Sequence, residues 1–356
     1  MKKILDSGKA NNQAPKENET LESFSKKIKT TLDLAIQELL GSNSDKRLNQ
    51  IINYQIFVGG KRLRPLLAIV CHNLLGGKRL ENVLYSAAGL EILHNYTLII
   101  DDIIDNSVLR RGKKTCWAKF GKSITQCIGI EYSATIFQSA NRSKYPIKIS
   151  ELFAKTMKVI SEGEVLDILF EQGERENESY VTENRYLEIE NKDYFEMVGK
   201  KTASLFQSCC ETGGICANAK EKEINALKSY GFNLGIAFQI RDDILDIFSK
   251  EKTFGKTIGK DIIEKKLGNI VVLYALKEFT TKDKKRFLKI IRKENINDRD
   301  VKQAMELIKK TNSKEKADLL GKSFVKKAKK SLNSLPKNKW SNILEEFANF
   351  IVEREK

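Results

Sequence analysis

The sequence predicts an all-α fold. Proline, the residue that most strongly breaks helices, occurs only 4 times in 356 residues, which leaves long stretches uninterrupted. In most segments apolar residues recur every three or four positions, as is typical of helices with one buried face. No stretch alternates strictly between apolar and polar residues, so we expect no β-strand.

Apolar periodicity locates the helices in chain order. The first begins near Leu21, and further helices are expected over residues 65–75, 82–105, 122–141, 148–172, 186–216 and 219–248. Residues 173–185 are too polar for a core helix and are expected to form a loop or a frayed helix end. Residues 250–261 have the composition of a mobile loop, and four or five shorter Lys-rich helices are expected over 267–354.

The composition fits a folded chain, with 41% hydrophobic and 31% charged residues. Residues 1–19 lack apolar periodicity and are expected to form a flexible N-terminal tail, followed by a single all-α domain over 20–356. No apolar run has the length of a signal peptide or of a membrane span. Six cysteines without a CxxC pair indicate neither a zinc site nor a disulfide scaffold, so a cytoplasmic location is expected.

The net charge of +16 excludes an acidic solvating protein and indicates phosphate-bearing ligands. Nucleic acid is one such ligand, and the Lys-rich segment 321–339 favours it most. That segment lacks interleaved aromatic residues and any reading motif, so a solvated helix face is expected and nucleic acid is not. Weak association with an anionic membrane surface and binding of small diphosphates stay open on charge alone.

Two acidic clusters share the pattern DDxxD, at residues 101–105 and 242–246, and they lie 141 positions apart. On a helix, the first and fifth residues of each cluster stack one turn apart, so three carboxylates share a patch. A solvated acidic face is the alternative for a single cluster. Two clusters, each after an apolar segment, favour Mg²⁺, which carboxylates bind together with substrate phosphates. If the two helices face each other, six carboxylates line a cavity that holds a diphosphate.

Basic residues suited to phosphate are expected near both acidic clusters. The segment GGKRLRP at 59–65 places three cations at the opening of a helix, where backbone N–H groups favour anions. Arg110 and Arg111 follow the first acidic cluster within two turns, and arginine can bind phosphate oxygens in pairs. A solvated face is the alternative for any one basic pair, but together with the acidic clusters these residues indicate a diphosphate site.

Six motifs occur in a fixed order: GGKRLRP at 59–65, DDIID at 101–105, LRRG at 109–112, KTA at 201–203, FQIRDDILD at 238–246 and GKTIGKDIIEKK at 255–266. This set, which extends over about residues 45–280, resembles the trans-prenyltransferases, the isoprenyl diphosphate synthases. The resemblance implies an isoprenoid-synthase-type bundle of roughly ten to thirteen helices around a central cavity. It also implies head-to-tail addition of isopentenyl diphosphate to an allylic diphosphate, and a homodimer.

The resemblance assigns roles residue by residue. Two or three Mg²⁺ ions would bind Asp101, Asp102, Asp105, Asp242 and Asp243, with Asp246 more peripheral. The allylic diphosphate would contact Arg110, Lys201 and Lys256, and Lys266 belongs to the substrate-binding set. Isopentenyl diphosphate would contact Lys61, Arg64, His94 and Arg111. Thr202 and Gln239 would stabilise the developing cation, and the expected catalytic set is Asp101, Asp102, Asp105, Arg110, Lys201, Thr202, Gln239, Asp242 and Asp243.

The length of the isoprenoid product is expected to depend on the residues before the first acidic cluster. In the family, a bulky residue four or five positions earlier forms the floor of an apolar tunnel; here these positions are Thr97 and Tyr96. An aromatic residue at the fifth position, a small one at the fourth and no insertion in DDxxD resemble the archaeal-type geranylgeranyl diphosphate synthases. Ideal helix geometry places Thr97 closer than Tyr96 to the face of Asp101, so the role of Tyr96 rests on the resemblance.

The sequence departs from the family pattern at four positions. Ile100, Lys114, Ile130 and Lys265 stand where His, Pro, Asp and Gly, respectively, are frequent. None is a predicted metal ligand or phosphate cation. The alternatives are a farnesyl or a longer-chain polyprenyl diphosphate synthase, and a non-catalytic partner subunit of another synthase. The sequence does not fix the allylic primer, the product distribution or the oligomeric state.

Overall fold

The computed structural model describes residues 20–41, 45–173, 175–249 and 258–354. The chain divides into two compact units. Unit 1 comprises Met1–Met157, Leu205–Gly231 and Lys329–Ala348, and unit 2 comprises Lys158–Ser204, Phe232–Ala328 and Asn349–Lys356. The expectation of a single domain over 20–356 stays a prediction. The tail expected over 1–19 lies outside the described residues, as do residues 250–257 of the expected mobile loop.

The described chain is almost entirely helical, which confirms the predicted fold class. Its helices are α1 (Leu21–Leu40), α2 (Lys46–Phe57), α3 (Leu63–Leu74), α4 (Glu81–Ile104), α5 (Cys116–Phe120), α6 (Lys122–Asn141), α7 (Pro146–Leu169), α8 (Ser179–Glu183), α9 (Asn191–Val198), α10 (Ser204–Cys216), α11 (Glu221–Phe248), α12 (Lys260–Ile263), α13 (Ile270–Glu278), α14 (Thr281–Ile291), α15 (Asp298–Lys309), α16 (Ser313–Ser331) and α17 (Lys339–Glu353). Three of these seventeen labels, α5, α8 and α12, are single turns of four or five residues, which leaves fourteen longer helices in the described chain against the roughly ten to thirteen expected.

Helix α4 is the centre of unit 1, where it packs against α1, α3 and α6. Its length and composition would allow it to cross a membrane, but 72% of its most apolar stretch is buried inside the protein. Ala87, Ala88 and Leu90 on this helix have no exposed surface. The continuous apolar run is therefore explained by burial on several sides, as expected for a core helix.

Unit 2 has a core of its own. Helix α15 contacts α12, α13 and α14, and α9 contacts α13. Phe170, Tyr194 and Phe287 are fully buried in this core. The exposed faces of the C-terminal helices carry most of the excess lysine, as expected: Lys322, Lys326 and the other exposed lysines of α16 leave its buried face to small and apolar residues.

Side-chain caps explain where several helices begin. Thr20 and Ser23 form a capping box at the start of α1, and Asn297 and Asp300 form another at α15. At α13, the side chain of Asn269 accepts hydrogen bonds from the backbone N–H groups of the first turn. These local signals place the helix starts independently of the tertiary contacts.

A two-residue β-hairpin contradicts the expectation that the chain contains no strand. Strand β1 (Leu109–Arg110) pairs antiparallel with β2 (Lys113–Lys114). The turn between them has positive φ at both positions, 54° at Arg111 and 74° at Gly112, as in a type I′ turn. Strands of two residues are too short to show an alternating pattern, which is why the sequence did not indicate them.

Candidate functional site

The first acidic cluster lies at the C-terminal end of α4 and faces the β-hairpin. Arg110 Nη2 lies 2.8 Å from Asp101 Oδ2, and Arg110 Nε donates to Asp102 Oδ1 at 2.8 Å. Burial alone would lower the pKa of Arg110, but the two carboxylates raise it, so the guanidinium remains charged. Asp105 caps α4 and is partly exposed. Three of the predicted site residues, Asp101, Asp102 and Arg110, are therefore in direct contact.

Arginines at the start of α3 form a second cluster in unit 1. Arg62 is buried, has φ of 53°, and pairs with Glu91 and Asp33 at 3.0 Å each. Gly60 allows the close approach, because a Cβ there would lie 3.0 Å from Arg62 Nη1 and 3.1 Å from Arg111 Nη1. Burial and the neighbouring arginines lower the pKa of Arg111. Glu91 is thus a buried carboxylate among several cations, and the sequence reasoning missed it.

His94 contacts this cluster as a neutral acceptor. Its Nε2 lies 3.1 Å from Nη1 of Arg64, which can only donate. Burial and the positive charges of Arg64 and Arg111 hold the pKa of His94 well below its usual value. The structure therefore places His94 beside two of the three cations predicted to bind isopentenyl diphosphate. The third, Lys61, is exposed at the start of the same segment.

A π-helical turn over Gly199–Ala203 carries Lys201 and Thr202 in unit 2. Such turns occur frequently at functional sites, and the sequence pattern did not indicate this one. Gly163 on α7 packs against it so closely that a Cβ at this position would lie 2.3 Å from the backbone nitrogen of Lys201. Glycine at 163 is therefore required for α7 and the π-turn to approach.

Hydrogen bonds connect Thr202 to the second acidic cluster. The Thr202 hydroxyl donates to Gln239 Oε1 at 2.9 Å, and Gln239 Nε2 donates to Asp243 Oδ1 at 2.9 Å. Asp243 Oδ2 accepts from the Tyr194 hydroxyl at 2.8 Å and from the Ile270 backbone at 2.9 Å. Burial raises the pKa of Asp243 well above its usual value, and Asp261 adds to the shift. The chain of bonds fixes the orientation of the Gln239 amide.

The other two acids of the second cluster have different partners. Asp242 Oδ1 lies 2.6 Å from Arg354 Nη2 near the C-terminal end of the chain. Asp246 is buried and accepts from the backbone N–H groups of Lys260 and Asp261 at 3.0 and 3.3 Å. Asp246 thus anchors the segment that follows residues 250–257, and its more peripheral role toward the metal stays a prediction. Lys256 lies outside the described residues.

Lys201 and Lys266 meet at Asp167, a residue that the sequence reasoning did not single out. Lys201 Nζ lies 2.6 Å and Lys266 Nζ 3.1 Å from Asp167 Oδ2. Burial would raise the pKa of Asp167, but the two ammonium groups lower it to about 2. A sequence signal existed: Asp167 is the one charged residue in the apolar run VLDILF at 165–170.

An apolar cavity of about 480 Å³, open to solvent on one side, lies between α4 and α6 in unit 1. Its lining residues are Tyr96, Ile100, Gln126, Gly129, Ile130, Ser133, Ala134 and Phe137. Tyr96 therefore lines a cavity on the helix that ends in the first acidic cluster. Thr97, whose hydroxyl donates to the His94 carbonyl, is not among the described residues that line it.

The donor set suits Mg²⁺, although no three acidic, His or Cys side chains among the described residues gather to hold a metal by themselves. Asp101 and Asp102 converge on one cation, Arg110, so this position already accommodates positive charge. Mg²⁺ is commonly held by one or two carboxylates with the remaining positions taken by substrate phosphates and water. The residues therefore fit a metal that binds together with a diphosphate.

The fold and these charged clusters define an all-α enzyme with oxygen ligands and cations suited to diphosphates. The chain belongs to the polyprenyl synthetase family, whose model matches residues 45–308, and is a trans-prenyltransferase. It is 34% identical over 347 residues to the geranylgeranyl diphosphate synthase of Saccharolobus solfataricus. The matched region covers 95% of this chain and 99% of that relative.

Solved structures agree with this assignment. A geranylgeranyl pyrophosphate synthetase from Pyrococcus horikoshii has a TM-score of 0.83 and 34% identity, and the match covers 94% of this chain and 98% of that one. A polyprenyl synthase from Caulobacter crescentus, complexed with calcium and isoprenyl diphosphate, has a TM-score of 0.84 and 29% identity, with 96% and 100% covered. The isoprenoid-synthase-type fold predicted from the sequence is thereby confirmed.

We predict that Glu91→Gln destabilises the protein far more than Asp33→Asn, although both acids contact Arg62. Glu91 is 3% exposed, so its loss leaves a buried guanidinium short of a counter-charge, at about 3 kcal/mol or more. The Asp33 side chain is 30% exposed, and its pairing is worth about 1 kcal/mol or less. Urea unfolding of both variants measures the difference; equal losses would show that burial of the pair does not matter.

Proposed function

We propose that this chain is a Mg²⁺-dependent geranylgeranyl diphosphate synthase. It extends the allylic diphosphates dimethylallyl, geranyl and farnesyl diphosphate with isopentenyl diphosphate. The observation that carries the proposal is the apolar cavity at Tyr96, on the helix that ends in Asp101, Asp102 and Asp105. One helix thus offers charge for a diphosphate and an apolar space for a growing chain. The similarity to geranylgeranyl diphosphate synthases over nearly the whole chain supports the same product.

The diphosphate of the allylic substrate is assigned to Arg110, Lys201, Lys256 and Lys266, with the aspartates as metal ligands. Bound Mg²⁺ would neutralise the pyrophosphate oxygens as the C–O bond breaks. Two or three ions per site are proposed, and the calcium in the Caulobacter structure shows that a relative binds a divalent cation. Arg110 contacts both Asp101 and Asp102, so it is positioned to share a phosphate group with whatever those carboxylates bind.

The reaction divides into bond breaking and bond making. The allylic C–O bond breaks, and the departing pyrophosphate retains the electron pair. The double bond of isopentenyl diphosphate then forms the new C–C bond to the allylic carbon, and a proton is lost, for which the released pyrophosphate is the proposed acceptor. Thr202 and Gln239 would stabilise the cation with oxygen dipoles, and the bonds from Thr202 through Gln239 to Asp243 hold those dipoles in place.

Isopentenyl diphosphate is assigned to Lys61, Arg64, Arg111 and His94. The structure supports this grouping because His94 contacts Arg64 and is electrostatically coupled to Arg111. A neutral His94 can present its second ring nitrogen as a hydrogen-bond donor without adding charge to the cluster. The diphosphate would then be recognised by the guanidinium and ammonium groups, with histidine contributing direction rather than charge.

We propose a homodimer in the cytoplasm. Ile124 and Ile130 on α6 are 44% and 72% exposed, and such apolar exposure on one helix favours a partner surface. All six cysteines are free thiols, which fits a reducing compartment. Light scattering should give a mass of twice 40.6 kDa, and Ile130→Lys should shift it toward the monomer. A wild-type monomer would reject the dimer.

The proposed activity is tested by product chromatography. With Mg²⁺, isopentenyl diphosphate and each allylic primer, we expect mainly a twenty-carbon product. Asp101→Asn and Asp242→Asn should each lower turnover by at least about a hundredfold, because both remove a proposed ligand of the Mg²⁺ that would neutralise the pyrophosphate. Asp298→Asn, which changes an exposed acid at the start of α15, is the control and should be as active as the wild type.

Each other outcome selects an alternative. A dominant fifteen-carbon product would indicate a farnesyl synthase, and products of thirty or more carbons a longer-chain synthase. No turnover with any primer would favour the non-catalytic partner subunit.

Tyr96→Ala should lengthen the product. The ring of Tyr96 lines the cavity beside Gly129, where an added Cβ would lie 3.7 Å from the ring, so truncation opens space for the chain. Thr97→Ala is the matched control, since Thr97 precedes the same acidic cluster but is not among the described lining residues. If Thr97→Ala lengthened the product and Tyr96→Ala did not, the roles of the two positions would be reversed.

A further inference from the structure

Asp167 brings together two lysines that are far apart in the sequence. Both ammonium groups contact the same oxygen, Asp167 Oδ2, at 2.6 Å for Lys201 and 3.1 Å for Lys266. The two nitrogens therefore lie within 5.7 Å of each other, the sum of those distances. Like charges at this separation repel, so the pair needs a counter-charge between them.

A different backbone feature places each lysine beside Asp167. Lys201 lies on the π-turn that packs against Gly163. Lys266 is paired with Glu171 through an isolated antiparallel bridge, and the next residue donates its N–H to the Phe170 carbonyl at 3.4 Å. Gly163 and Asp167 lie on α7, and Phe170 and Glu171 follow its last residue, Leu169, so this helix and the two residues after it carry both attachment points and the carboxylate.

The remaining acids of the cluster differ from Asp167 in reach and exposure. Glu164 contacts Lys201 at 2.8 Å, whereas Glu264 contacts Lys266 at 3.3 Å and Lys260 at 2.7 Å. Their side chains are longer than that of Asp167 and are 15% and 14% exposed, against 9% for Asp167. Asp167 is short and buried against both lysines. An ammonium group has three donors, so each lysine can donate to more than one acceptor.

We propose that Asp167 is a positioning residue that holds Lys201 and Lys266 as a pair for the diphosphate of the allylic substrate. The proposal rests on the proposed function, because it takes the two lysines as diphosphate ligands. Asp167 itself touches no substrate in this scheme. It sets the spacing of the two ammonium groups, which would otherwise separate by repulsion, and a pair so spaced can bind two oxygens of one diphosphate.

Asp167→Asn tests the proposal because it is nearly isosteric and removes the charge. The KM for the allylic diphosphate should rise at least about tenfold, with a smaller change in kcat. The KM for isopentenyl diphosphate should change less than twofold, since its assigned ligands belong to unit 1. Titration of inorganic pyrophosphate into the protein, followed by calorimetry, should show a similar loss of affinity without any turnover. A purely structural role would instead lower kcat and affect both substrates together.

Glu171→Gln is the matched control. Glu171 is also a buried carboxylate, two residues beyond the end of α7; its side chain forms an ion pair with Arg175, at 2.6 Å, and Lys266 acts on it as a neighbouring charge. This variant should keep both KM values within twofold. Asp167→Glu keeps the charge and moves it by one methylene, so it should fold even where Asp167→Asn does not, and it should raise the allylic KM by a smaller factor.

Two results would overturn the inference: unchanged allylic KM and pyrophosphate affinity in both Asp167 variants, or the same shifts in Glu171→Gln. Both presuppose an active wild-type enzyme. An inactive wild type would instead count against the proposed function, so the two failures are distinguishable.

Discussion

Like charges can be packed at these sites only because buried carboxylates lie between them. In unit 1, Glu91 faces Arg62 and is electrostatically coupled to Arg64, and Arg62 also pairs with Asp33. In unit 2, Asp167 has the same relation to Lys201 and Lys266. A buried pair of this kind contributes little net stability, yet removing one partner costs about 3–5 kcal/mol. The carboxylates thus determine where the cations lie rather than how stable the fold is.

Three cationic residues at or beside these clusters lie on unusual backbone. Arg62, Arg111 and Lys265 have φ of 53°, 54° and 57°, in the left-handed region that disfavours side chains by roughly 1–2 kcal/mol. The charged groups of two of these residues have partners that fix the side chain. Arg62 forms an ion pair with Glu91, and the Lys265 ammonium donates to the Glu294 carbonyl at 2.9 Å. Lys265 stands where the family frequently has glycine, the residue that adopts this conformation without strain. Its ammonium bond offsets part of the strain that glycine would avoid.

Local periodicity predicted the helices well. Helix α6 has the predicted bounds, and α4 begins and ends within one residue of its predicted range. Burial explains this success, because one apolar face is repeated along each helix. The same rule fails where one residue changes the backbone. The π-turn at Lys201 and the hairpin at Arg111 depend on close approach at Gly163 and on positive φ at Gly112, and neither leaves a periodic signal.

The site was predictable where motifs are contiguous and not where distant residues meet. Asp101, Asp102 and Arg110 lie within ten positions, so their contact could be anticipated from the sequence. Asp167 contacts lysines that are 34 and 99 positions away in the sequence. These ion pairs are apparent only in the folded structure, which brings the three residues together. The sequence showed it only as an isolated charge in an apolar run. Such a residue can be noticed in advance, but its partner cannot be assigned.

Two departures from the family pattern, Ile100 and Ile130, lie at the same cavity. Ile100 and Ile130 replace the frequent His and Asp, and both line the cavity beside Tyr96. An added Cβ at Gly129 would lie 3.6 Å from Ile100 Cδ1, whereas Ile130 is 72% exposed, so Ile100 belongs to the packed part of the wall and Ile130 to its exposed part. A hydrocarbon chain cannot form hydrogen bonds with a polar side chain in the wall that it covers. A wall with fewer polar groups therefore costs less to cover with such a chain. If the cavity holds an isoprenoid tail, as proposed, the two isoleucines offer it apolar surface where His and Asp would offer polar groups.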